Sequence, residues 1–77
     1  MRITDHDAIF EKAKTRKDGV YSHGEYLYSV VNNRPTAYAD YHGNLSLFYG
    51  AFHVSQGKCD RHDRRKTLLK FIKESQK

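Results

Sequence analysis

Between Val20 and Gly57 the chain switches from helical to strand-like patterning: Tyr, Val, Leu, Phe and Thr dominate and alternate residues share character, while both flanking segments repeat at helical spacing. Seventy-seven residues hold one core, so each flanking helix must bury its apolar stripe on that β region. The expected fold is α+β, one domain spanning 1–77. It is a three-stranded antiparallel meander flanked by an N-terminal and a C-terminal helix, in the order α-β-β-β-α.

The first helix is expected over Asp5–Lys17, with Thr4 as N-cap and Asp7 three residues on. Ala8, Ile9, Phe10 and Ala13 form its apolar stripe, and Asp18-Gly19 ends it. The first strand is Glu25–Val31, with Tyr26, Tyr28 and Val30 on one face and Leu27 and Val31 on the other. Asn32-Asn33-Arg34-Pro35 reads as a turn, because Asn tolerates positive φ and Pro resists a central ladder position. Thr36–Tyr41 is the second strand and His42-Gly43-Asn44 the next turn. A third strand begins at Leu45, and its apolar parity flips near Tyr49-Gly50, which reads as a bulge or bend at Gly50.

Asp60 or Asp63 is the expected cap of a second helix reaching Ser75, with Leu68, Leu69, Phe71 and Ile72 on one arc and Lys66, Lys70, Lys73 and Lys77 on another. The net charge of +5 is concentrated there. Residues 1–19 carry five basic and four acidic side chains, residues 20–57 one basic and two acidic, and residues 58–77 eight basic and three acidic. Anionic partners are therefore favoured, either nucleic acid or an acidic protein surface. The candidate phosphate contacts are Arg61, Arg64, Arg65, Lys66, Lys70 and Lys73, with Arg34 at a loop tip. A lysine stripe opposite an apolar arc also serves simply to keep a short amphipathic helix in solution.

All six tyrosines fall in the strand region. If Tyr26, Tyr28 and Tyr38 share an exposed face, they form a flat aromatic platform for a protein interface or for unpaired bases. No catalytic or metal-binding residues are assigned. Cys59 and His62 have Cys-x-x-His spacing, but no second cysteine completes a four-ligand zinc site, and His53 or an aspartate would join them only by chance proximity. The lone Cys59 excludes an internal disulfide and favours a reducing, cytoplasmic setting. No apolar run suits a signal peptide or a membrane span.

The element order resembles the outline of double-stranded RNA-binding domains. Their loop and helix motifs are not matched by Asn32-Asn33-Arg34-Pro35 or by Arg64-Arg65-Lys66-Thr67-Leu68, so the resemblance assigns no residue a role. The sequence thus points to a small basic, non-enzymatic binding protein without a cofactor, most simply a nucleic-acid binder. The alternative is an inhibitor or effector of the phage or mobile-element kind, docking its Tyr-rich sheet and basic helix on a host protein. An exposed strand edge or tyrosine face would also permit a homodimer.

Overall fold

The computed structural model describes residues 2–50 and 52–76. The chain runs α1 (Ile3–Ala13), β1 (Gly19–His23), β2 (Tyr26–Val31), β3 (Arg34–Ala39), β4 (Asn44–Tyr49), β5 (Phe52–Lys58), a 3-10 turn (Arg61–Asp63) and α2 (Arg64–Ser75). Five strands, rather than three, form one antiparallel meander in the order β1-β2-β3-β4-β5. The α+β class and the two flanking helices stand. The strand count departs from the double-stranded RNA-binding outline.

Two local features account for the extra strands. Gly50, at φ 58°, opens a hairpin turn rather than a bulge, and Tyr49 pairs with Phe52 across it. Reversing the chain there puts Phe52 and Val54 beside Tyr49 and Leu47, which is the parity flip seen in the sequence. At the other end, Gly19–His23 pairs with Tyr26–Val30 as a separate hairpin, with Gly24 at φ 59° in its turn. The Asn32-Asn33 turn has both residues at positive φ, 55° and 62°, as a tight hairpin requires. Pro35 does lie within β3, a central strand. Its pairing with Val30 follows a register shift at Ser29/Val30, and the β3–β4 ladder begins only at Ala37, so its missing N–H interrupts no bond on that side.

The helices pack on opposite faces. α1 seals Tyr28, Val30 and Tyr38 with Ile9 and Ala13, while α2 seats Leu68 on Ala37, Ala39 and Leu45. The small alanines of β3 leave room for Leu68 among the larger Val20, Leu27 and Leu45 of β1, β2 and β4. α1 is shorter than expected. Asn33, from the β2–β3 turn, donates to the carbonyls of Ala13, Lys14 and Arg16, so the chain unwinds at Ala13 instead of continuing to Lys17. Its first residue is Ile3 and Thr4 makes no cap bond. The helix start is held instead by Asp5, which accepts from Arg2 at 3.2 Å and from His23 at 3.2 Å. Lys12 donates to the other ring nitrogen of His23 at 2.9 Å, tying α1 to the β1–β2 hairpin.

Over β4 and β5, α1 lays His6 and Phe10 against Phe48 and His53, with the two imidazoles 5.1 Å apart. Burial, reinforced by the neighbouring His6, pushes His53 below its ordinary pKa of 6.5. The unfolded chain binds that proton more tightly. His53 therefore contributes stability that is complete above pH 6.5 and is lost as the pH falls through the depressed value. Asp5 and Asp40 behave similarly at lower pH. Burial alone would raise both, but hydrogen bonds to Asp5 from His23 and Arg2, and to Asp40 from Asn44 and His42, outweigh it and hold them below 3.8. Their contribution is intact above pH 3.8 and drains below it. Urea midpoints measured against pH should thus begin to fall just below pH 6.5, and replacing His53 by Phe should flatten that first step while leaving the acid limb.

Gly43 supplies a sharper test. Its φ is 91°, and a Cβ there would stand 2.1 Å from the carbonyl oxygen of Cys59, whose amide bonds to the Gly43 carbonyl. Gly43→Ala should cost more than about 2 kcal/mol in urea unfolding, left-handed strain adding to the clash. Gly24→Ala, at positive φ but facing open space, should cost only about 1 kcal/mol.

Candidate nucleic-acid interface

α2 begins where the sequence places it. The Asp60 side chain accepts the His62 amide at 2.8 Å, capping the 3-10 turn that leads into the helix. The four basic residues from Arg61 to Lys66 then divide into anchors and free charge. Arg64 is half-buried and donates to the carbonyls of Arg61 at 3.0 Å, Glu25 at 3.0 Å and Asp40 at 3.1 Å. It clamps the start of α2 to the β1–β2 turn and to the β3–β4 loop. That loop is itself shaped by Asp40, whose carboxylate accepts from the amides of His42 and Asn44 and from the Asn44 side chain. Arg61 donates to the Tyr41 hydroxyl at 2.8 Å and lies 5.0 Å over its ring, and Arg65 donates to the Val20 carbonyl at 3.3 Å.

None of these partners is a carboxylate. The arginines are held in place yet keep their full charge. Further along α2, Lys66, Lys70 and Lys73 are exposed, as expected, while Leu68 and Ile72 face the sheet. Lys77, the fourth lysine of the row, lies outside the described residues. Among the described residues, ion pairs involve α1 and β1 only: Arg2–Asp5, His6–Asp7, Lys14–Glu11 and His23–Asp5. Lys66, Lys70 and Lys73 therefore face solvent and form no ion pair among the described residues. Leu69, expected on the buried arc, falls on its flank and is 44% exposed between the lysines, because the helix centres its contact on Leu68 and Ile72. It shares a shallow groove with Lys66, Lys70 and Lys73.

Arg34 does not join this cluster. It is not at a loop tip but is the first residue of β3, paired with Val31 beside the Asn32-Asn33 turn, at the opposite end of the sheet from Arg64 and in a groove with Phe71 and Ser75 near the end of α2.

The aromatic platform is not formed. Tyr26, Tyr28 and Tyr38 do share one face of the sheet, but α1 covers it: Tyr28 is fully buried, Tyr38 is buried and Tyr26 is half-buried. Tyr38 instead packs among Tyr26, Phe48 and His53 as core. The exposed aromatics lie elsewhere. α2 packs mainly against β1, β2 and β3 and reaches β4 at Leu45, leaving open the turn end of the β4–β5 hairpin, where Tyr49, Phe52 and Val54 are 58%, 75% and 45% exposed. The opposite-parity pair Phe52 and Val54 was the sequence signal for this strip, legible only once Gly50 is recognised as a hairpin turn.

Cys59 and His62 stand at the start of α2, whereas His53 packs under α1. Among the described residues no group of three or more His, Cys, Asp or Glu side chains is placed to hold a metal ion, and no helix is long and apolar enough to cross a membrane. Comparison with known proteins matched no family model, no curated protein and no solved structure.

The division between anchors and free charge is measurable. Arg64→Ala should lower unfolding free energy by roughly 1.5–3 kcal/mol, since it leaves carbonyls of two loops without a charged donor. Lys70→Ala should change it by no more than about 0.5 kcal/mol. Chemical denaturation of the two variants side by side reads the difference.

Proposed function

We propose that the protein is a non-enzymatic binding module that grips nucleic acid by its phosphates, through the outward face of α2 and the turn before it. The observation that carries this reading is the row Lys66, Lys70 and Lys73, exposed on a helix locked to the sheet and without a carboxylate partner among the described residues. Arg61 and Arg65 extend the positive surface toward the helix start, and Arg34 is a separate contact at the far end of the sheet for a ligand long enough to reach it. Phosphate contacts position a nucleic acid without reading its sequence, and the covered tyrosine face supplies no stacking platform for splayed bases. The ligand class that fits is a backbone recognised by charge, with little dependence on base sequence.

A protein partner is the second reading, favoured by the open strip of Tyr49, Phe52 and Val54. In that case the molecule acts as an inhibitor or effector of the phage or mobile-element kind, and Arg61, Arg65 and the lysines meet an acidic surface. Capture from nuclease-treated lysate separates the two: a stoichiometric protein that survives nuclease supports this second reading and counts against the first.

The direct test replaces Lys66, Lys70 and Lys73 together by Gln. Affinity for a short duplex of arbitrary sequence, read by fluorescence anisotropy at fixed salt, should fall at least about tenfold, with the far-UV circular dichroism unchanged. Equal affinity in the folded triple variant would refute the assignment of α2.

A further inference from the structure

The two edges of the sheet are built differently. β1 has a side chain on its outward edge: Arg65 donates to the Val20 carbonyl at 3.3 Å. Among the described residues, no side chain bonds to the main chain of β5, and the strand is exposed along nearly its whole length. Residues of an antiparallel strand aim their N–H and C=O groups alternately to either side. The Tyr49–Phe52 pair closes the β4–β5 hairpin, so Phe52 and Val54 bond inward to β4, and the amides and carbonyls of His53 and Ser55 point outward.

We propose that β5 is a self-pairing edge, joining two copies of the chain antiparallel about a two-fold axis at Val54. In that register Val54 faces the partner's Val54, His53 faces the partner's Ser55 and Phe52 faces the partner's Gln56. About four main-chain hydrogen bonds form, using the outward groups of His53 and Ser55 on both strands. The sheet becomes ten-stranded and continuous.

The stretch suits its own copy. Phe52–Gln56 carries no acid, lysine or arginine, so no such like charges meet across the axis, and the apolar pair falls where antiparallel strands bring side chains closest. Phe52, Val54 and Tyr49 of the two copies then merge into one apolar strip. The cationic surface is remote from the axis: α2 is centred over β2, three strand spacings or ~14 Å from the β5 edge, and reaches β4 through the apolar contact of Leu68 with Leu45. The cations of the two copies are thus about 20 Å or more apart, beyond the Debye length of about 8 Å in physiological salt. Gly57, at φ 88°, sets the limit. Between the Ser46–Ser55 and Asn44–Lys58 pairs, β4 advances two residues and β5 three, so the strand turns away after Gln56. A short edge of this kind makes a weak dimer, populated at roughly 0.1–1 mM chain.

The proposal does not depend on the polyanion reading. Sedimentation equilibrium from about 10 μM to 1 mM tests it, together with two folded-state controls. Val54→Lys sets two ammonium groups against each other at the axis, and Ser55→Pro removes an outward N–H without touching the bonds to β4. The wild type should dimerise with rising concentration and both variants should stay monomeric with unchanged circular dichroism. Hydrogen exchange on the wild-type chain gives a readout that needs no variant: the His53 and Ser55 amides should slow as concentration rises, while those of Phe52 and Val54 stay constant. A wild type that remains monomeric at 1 mM overturns the proposal and leaves the edge to an extended segment of a different protein. A dimer that survives in both variants, with the His53 and Ser55 amides exchanging freely, overturns it equally.

Discussion

The structure depends on how α2 is fastened. Leu68 and Ile72 supply the apolar contact, Ala37 and Ala39 leave room for Leu68, and Arg64 pins the helix start to carbonyls from two different loops. A charged donor serving carbonyl acceptors is a stronger tie than a neutral hydrogen bond, and it consumes no carboxylate. The fastening therefore leaves Arg61, Arg64 and Arg65 without a carboxylate partner among the described residues. A helix held by ion pairs would have spent the same residues neutralising itself.

The opposite face obeys a different logic. α1 has a narrow apolar stripe, Ile9 and Ala13 at its centre, and it covers tyrosines that alone would make the sheet adhesive. It is also the more conditional helix. Its hold rests on the Lys12–His23–Asp5–Arg2 chain on the flank toward the β1–β2 hairpin and on packed imidazoles on the flank toward β4 and β5. Because α2 lies mainly over β1 to β3 and reaches β4 at Leu45, the turn end of the β4–β5 hairpin stays open on its side. The Tyr49, Phe52 and Val54 strip thus sits apart from the α2 lysines, and each can serve a partner without interfering with the other.

Local patterns were the readable part of the sequence. The span of α2, its Asp60 cap, its outward lysines and the Asn32-Asn33 turn all follow from neighbours within a few residues, and the structure keeps them. What was lost needed pairings and coverings that the pattern of a single segment does not reveal. A glycine at a parity flip fits a bulge as well as a hairpin, and only the pairing of Tyr49 with Phe52 decides for the hairpin. The end of α1 is set by Asn33, twenty positions beyond Ala13, which no capping rule within the helix can anticipate. The tyrosine face was correctly assembled from alternation, but alternation says which residues share a face and not what covers it. The candidate cations were legible by residue type. Their division into anchors and free charge was not, because carbonyls that accept from arginine leave no mark in a sequence.

The central claim is that α2 presents Lys66, Lys70 and Lys73 to solvent with no ion-pair partner among the described residues. The dependence of duplex affinity on salt measures this most directly, because each phosphate contact releases counterions. Three or four engaged cations give a plot of log Kobs against log salt with a slope between about −2.5 and −4. The account predicts a slope in that range, nearly the same for duplexes of different sequence. A slope near zero would contradict it.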